Sequence, residues 1–175
     1  MRNTLFFVTS CILLLSCAAA AVHEKKTPPN KITRFTVDSN YDSTWSRIVY
    51  YFYQRGAIVT TINKTDGVFN AELENCPVTY TGKKGEVMDP TAIAITERRR
   101  RINNSNKIIP KEGKIGWNII VEREGNTTKS VYITLKSMGI ITAYYEEGFL
   151  KKKIIKNSRF WSTGVFEKQF EAQLK

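Results

Sequence analysis

Between Asn40 and Gly56 the chain carries a helix that only an apolar partner surface can complete. Trp45, Ile48, Val49 and Phe52 fall at i, i+3, i+4 and i+7, which stacks them along one face. Ser39, Asn40 and Asp42 offer N-cap side chains ahead of this stripe, and Gly56 after Arg55 reads as the glycine just past the helix end. A single amphipathic helix of this length is marginal in water, so the rest of the sequence has to supply the surface it packs on.

Strand patterns flank it. Arg34, Phe35, Thr36 and Val37 read as a short strand before the helix. After it, Ala57 to Ile62 have an Ile/Val/Thr composition, and Phe69, Ala71 and Leu73 alternate with Asn70 and Glu72. Asn63-Lys-Thr-Asp66-Gly67 between them closes a hairpin on an Asp-Gly turn. A second hairpin runs through Ile115, Trp117, Ile119 and Val121, turns at Gly125-Asn126, and returns through Val131, Ile133 and Leu135. Residues 75–113 hold Pro77, Pro90, Pro110 and several glycines, and are expected to be irregular apart from one strand at Thr91 to Glu97. Ile140 to Tyr145 are strand-like, whereas Phe149 to Ile155 mix three lysines with apolar residues. Ser162, Thr163 and Gly164 then stand as a cap before Phe166, Phe170 and Leu174 at i, i+4 and i+8, an amphipathic C-terminal helix. The expected fold is α+β: an antiparallel sheet of about five or six strands with an N-terminal and a C-terminal helix packed on one face.

Ahead of the domain lies an export signal. Arg2 is a short positive head, and Leu5 to Leu15 form an apolar run, broken by Thr9, Ser10 and Cys11, that is too short for a membrane span. The run closes in Leu14-Leu15-Ser16-Cys17, which resembles the bacterial lipobox, where a diacylglycerol is placed on the cysteine thiol and the leader is cut in front of it. The competing reading is a plainly secreted protein, cut within Ala18 to Ala21. The lipobox resemblance implies a signal peptide over 1–16, lipidation at Cys17, a tether over 17–32 that contains Pro28-Pro29, and one domain over 33–175. In enterobacterial lipoproteins Asp after the lipid cysteine retains the protein in the inner membrane. Ala18 stands there, so the resemblance implies the outer membrane, with the domain facing the periplasm. Three acyl chains hold a protein firmly where one holds it only marginally.

Composition removes several chemistries. One His and three Cys in 175 residues leave almost nothing for Cys/His zinc sites or His-based catalytic triads. His23 lies in the tether. With Cys11 lost in the leader and Cys17 a thioether, Cys76 is left as a small buried residue; an unmodified Cys17 could instead pair with it. The pairs Glu72/Glu74 and Glu122/Glu124 share a strand face by period two, as a half-exposed sheet does in any case. Thr81-Gly-Lys-Lys-Gly85 lacks phosphate-loop spacing, and neither G-x-S-x-G nor H-E-x-x-H occurs. The reading is therefore not an enzyme, with no catalytic residue, no metal ligands and no cofactor assigned.

Tyr41-Asp-Ser-Thr-Trp45-Ser-Arg-Ile-Val, Arg55-Gly56-Ala57-Ile58-Val59 and Asn63-Lys-Thr-Asp66-Gly67-Val68-Phe69-Asn-Ala-Glu72 together resemble the helix, hairpin and D-x-G turn of helix-grip domains in BamC-like outer-membrane lipoproteins. Ser162-Thr163-Gly164-Val-Phe-Glu167 is similar to an S-T-G-x-x-E segment that opens the last helix in small lipoproteins. These residues are mostly structural, so the resemblance implies a fold and an envelope location more than an activity.

Charge is the remaining signal. The net charge is +11; Arg2 carries one unit and three lysines against Glu24 in the tether carry two more, which leaves +8 on the domain. It gathers in two clusters, Arg98, Arg99, Arg100 and Arg101, and Lys151, Lys152 and Lys153 with Lys156 and Arg159. These are the candidate patch for an anionic partner: lipid, lipopolysaccharide, peptidoglycan carboxylates or an acidic envelope protein. The plain alternative is a solvated face. Tyr144, Tyr145, Phe149, Phe160 and Trp161 around the second cluster would suit stacked bases, but export makes nucleic acid an unlikely partner outside DNA transfer. The expected function is a lipid-anchored, non-catalytic binding or scaffolding module of an envelope complex, in outer-membrane or secretion-complex assembly. A secreted or periplasmic hydrolase or inhibitor is the alternative.

Overall fold

The computed structural model describes residues 32–81, 86–96, 108–147 and 150–175. Cys17, the leader and the tether up to residue 31 lie outside them. The elements are β1 (Thr33–Asn40), α1 (Tyr41–Gln54), β2 (Ile58–Asn63), β3 (Val68–Tyr80), β4 (Ala94–Thr96), β5 (Ile108–Glu124), β6 (Thr127–Leu135), β7 (Met138–Glu147), β8 (Leu150–Ser162) and α2 (Val165–Leu174). They form an α+β fold whose sheet has eight strands in the order β1-β6-β5-β7-β8-β4-β3-β2, with a further pairing of β5 to β3. Every pairing is antiparallel except the parallel contact of β3 with β4.

The helix starts where the cap places it. Asn40 leaves the chain extended, and its side-chain oxygen accepts from the amides of Asp42 at 2.9 Å and Ser43 at 3.3 Å, satisfying two of the four free N–H groups at that end. At the other end Gly56 turns out of the helix at φ +65°, and the Ala57 amide returns to the Phe52 carbonyl at 3.1 Å. Trp45, Ile48 and Phe52 are buried, with Val49 half-buried beside them.

The core is largely aromatic. Trp45 and Phe52 meet Phe69 of β3 at ring separations of 6.3 and 5.2 Å. Phe166 of α2 stacks on Trp117 of β5 at 4.0 Å, and Phe170 meets Phe35 of β1 at 6.1 Å. Tyr51 joins the two helices through Phe166 and Phe170 at 5.6 and 5.2 Å. Full burial of a ring of this size contributes about 2–3 kcal/mol before any gain from ring geometry.

At Glu74 and Asn75 the register of β3 against β5 slips, with Asn75 at φ +54°, and β5 slips against β7 between Pro110 and Glu112. Bulges bend strands and raise their twist. Below them β5 pairs β7, β7 pairs β8, β8 pairs β4, β4 pairs β3, and β3 returns to β5 at Cys76 and Pro77, so these pairings close a ring. Phe160, fully buried and paired with Thr96 of β4, plugs it, with Val78 near it around Gly113. A Cβ on Gly113 would stand 2.9 Å from Val78 and 3.1 Å from Phe160, and one on Gly139 would meet the Lys114 carbonyl oxygen and stand 2.6 Å from the Phe160 ring. The plug therefore needs both glycines.

Three expectations change. Among the described residues the sheet has eight strands rather than five or six. The lysine run belongs to β8, whose ten paired positions with β7 override the poor local pattern. Residues 75–113 are less irregular than their prolines suggest: β3 continues past Pro77 to Tyr80, β4 covers Ala94–Thr96, and β5 begins at Ile108. Pro77 and Pro110 sit beside the two bulges, where the ladder is already interrupted. At α2 the N-cap is Gly164 at φ +84° with no side-chain cap of its own. Thr163 stands in, its Oγ1 accepting from the Val165 amide at 3.3 Å and donating to the Ala92 carbonyl at 2.6 Å.

Candidate binding surfaces

The second basic cluster falls on one strand, and a strand sends successive side chains to opposite faces. Lys153, Ile155, Asn157 and Arg159 therefore form one row of β8, and Lys152, Ile154, Lys156, Ser158 and Phe160 the other. The second row is the inner one, since Phe160 is buried and Ile154 packs against the core. The cluster that is continuous in sequence is thus divided in space: Lys153 and Arg159 point outward, while Lys152 and the half-buried Lys156 belong to the inner row toward the start of the strand. The side chain of Lys151, and all of Arg98, Arg99, Arg100 and Arg101, lie outside the described residues.

Register extends the outer row across the hairpin. Met138 stands opposite Arg159, Ile140 opposite Asn157, Thr142 opposite Ile155 and Tyr144 opposite Lys153. Ile155, Met138 and Ile140 are 68%, 54% and 42% exposed. Lys111 lies over the Tyr144 ring at 5.5 Å. Glu112, paired with Thr142, is an acidic residue within this register, and Lys114 is held by Glu72 at 3.1 Å and Glu74 at 3.6 Å. Those contacts with the two carboxylates hold the Lys114 amine above its usual pKa, the Glu72 hydrogen bond first. Among the described residues Lys152, Lys153 and Arg159 make no ion pair.

A second surface has no charge. Trp45, Ser46, Val49, Tyr50 and Tyr53 of α1 and Ile62 of β2 line an open groove of about 490 Å³. It follows the edge strand β2, all of whose residues are exposed and none charged. β2 is bent by a register slip between Val59 and Thr61, which blunts its free edge. The sequence reading overlooked this surface. Its signal was a second apolar stripe on α1, since Val49, Tyr50 and Tyr53 also recur at i, i+1 and i+4 beside the core stripe.

No family model matches this chain, and neither does any curated protein or solved structure. The geometry therefore carries the argument alone.

The carboxylate pairs are surface groups. Glu72 and Glu74 embrace Lys114, Glu122 accepts from the Tyr132 hydroxyl at 3.0 Å, and Glu124 approaches Lys129 at 3.8 Å. Cys76 is buried and free, its thiol 3.5 Å from the Leu73 carbonyl, and burial pushes its pKa up to about 12. A thiol held protonated is a poor nucleophile. The Ser-Thr-Gly-x-x-Glu segment fastens α2 to the loop before β4: the Thr163 amide reaches the Ile93 carbonyl at 3.3 Å, and Ser162 accepts from the Gly164 amide at 2.9 Å. Glu167 is buried in the first turn of α2, and its Oε2 has no hydrogen-bond partner among the described residues. Among the described residues no group of His, Cys, Asp and Glu is placed to hold a metal ion, and no helix is long and apolar enough to cross a membrane.

Proposed function

We propose that this is a lipid-anchored protein of the bacterial cell envelope, tethered through Cys17 to the outer membrane. Its domain, BamC-like and with both helices covering one face of the sheet, is a non-catalytic module that docks on or scaffolds an anionic envelope partner. The observation that supports this reading is the β8 strand, which carries Lys152, Lys153 and Arg159 without ion pairs among the described residues, on a domain of net charge +8 within a chain of +11. Clustered exposed cations steer encounter with an anionic surface and contribute little to folding.

Metabolic labelling with a fatty-acid analogue tests the anchor. The parent chain should take up label and Cys17→Ala should not; equal labelling of the two contradicts it. Crosslinking in intact envelopes from a photoreactive residue at position 152 tests the docking role. A single repeated product that weakens as salt rises supports it, and a salt-independent smear across envelope proteins contradicts it.

A further inference from the structure

We infer that the outward face of the β7/β8 hairpin docks on an anionic phospholipid surface. The inference deepens the reading above by naming the partner that the outer row meets. On this face Lys153 and Arg159 flank Ile155, while Met138, Ile140 and Tyr144 stand opposite on β7 and Lys111 lies over the Tyr144 ring. Lys153, Arg159 and Lys111 therefore surround three exposed aliphatic side chains, with Glu112 and the Lys114–Glu72–Glu74 cluster in the same register.

A soluble polyanion or an acidic loop needs only the cations. It leaves Ile155 at 68% exposure and Met138 at 54% in water, with nothing to cover them. The boundary of a bilayer takes both kinds of group at once: aliphatic side chains enter about 5–10 Å below the headgroups while lysine and arginine stay at the level of the phosphates. Tyrosine has the same divided preference, ring inward and hydroxyl outward. The inner row of β8 has no such combination, because its apolar members Ile154 and Phe160 are packed into the core.

The test uses the full chain with Cys17→Ala, so that no acyl chain can hold it, and flotation with vesicles of phosphatidylcholine alone or with phosphatidylglycerol added. Failure of the anchor reading leaves this result untouched, and failure here leaves the anchor intact. The chain should float with the anionic vesicles. Each cation near such a surface contributes about fivefold in affinity, so Lys153→Gln with Arg159→Gln should weaken binding by roughly 25-fold. Ile155→Thr with Met138→Thr should weaken it by about tenfold, while binding to soluble polyglutamate falls only with the charge variants. In an Ile155→Trp chain the new indole's emission should shift to the blue on anionic vesicles and not with polyglutamate. Vesicle binding unchanged by the threonine pair would overturn the inference in favour of a soluble anionic partner. Binding unchanged by the glutamine pair would overturn it in favour of attachment through the leader.

Discussion

In the half of the sheet that meets the helices, Phe69, Trp117, Ile119 and Ile133 have no exposed surface, whereas on the β7/β8 hairpin Ile155, Ile140 and Met138 stand largely in water. Both halves are built on the same period of two. In the first half the apolar row is large, and its rings meet rings of the two helices. In the second the inner row packs Ile141, Ala143, Ile154 and the plug Phe160 beside Gly139 and Ser158, and further aliphatic side chains stand on the outer row. The contrast separates stability from surface: one half has its large side chains packed, the other has them available.

The largest expected effect belongs to the packed half. Phe166→Ala removes a ring stacked at 4.0 Å on Trp117 and facing Tyr51 at 5.6 Å, and should lower the unfolding free energy in urea. A loss of about 3–5 kcal/mol is expected, and Trp45→Ala should fall in the same range. Ile155→Thr should change it by less than about 0.5 kcal/mol. Comparable losses at positions 166 and 155 would erase the distinction between the halves.

The ring gives the next effect. In Gly139→Ala the added methyl meets the Lys114 backbone carbonyl oxygen first and then the Phe160 ring at 2.6 Å. Unless the plug shifts, the cost should be about 1–3 kcal/mol, read from the same denaturation curves. A neutral result would mean that both the Lys114 backbone and Phe160 give way and that the ring is not a packed element.

Cys76 lies where β3 passes from one half to the other, and its thiol supplies a pH test. Its folded pKa is raised to about 12 by burial, while an unfolded thiol ionises near ~8.5. Its share of stability is therefore whole below the unfolded value and is lost as the pH climbs toward the folded one, by about 1.4 kcal/mol per unit in between. Tyr41 and Tyr51, also raised by burial, act in the same direction, so the quantity to measure is the difference from Cys76→Ala. Between pH 9 and 10.5 the parent should lose stability relative to that variant, by roughly 2 kcal/mol. Parallel curves would place the thiol in water.

The sequence made the packed half legible because its signals are local. Asn40 caps, Gly56 ends the helix, Asp66-Gly67 turns the chain, and the apolar positions keep strict periods. The hairpin half was hidden for a physical reason. β8 has three consecutive lysines that mask its alternation, and it is held by register with β7 and by β4, which pairs it from a distant part of the chain. Pro77 and Pro110 read as breakers because single-sequence rules cannot see that bulges already interrupt the ladder there. The basic cluster was found by composition, but its division into inner and outer rows follows only from knowing that it is a strand. The apolar groove on α1 was missed because Tyr50 and Tyr53 stand outside the core stripe of Trp45, Ile48, Val49 and Phe52.

The smallest expected effect on folding accompanies the largest on binding. Lys153→Gln with Arg159→Gln should leave the unfolding free energy in urea within about 0.5 kcal/mol of the parent, since exposed charges contribute little.

The central claim is that this half of the molecule is a surface rather than a support. Its most direct measurement is the binding of the Cys17→Ala chain to isolated envelopes across a salt series, parent against the Lys153→Gln, Arg159→Gln pair. The account predicts that parent binding falls steeply between low and physiological salt, where charges are screened beyond about 8 Å, and that the variant starts weak and changes little. Parallel salt curves of equal strength for the two chains would contradict it.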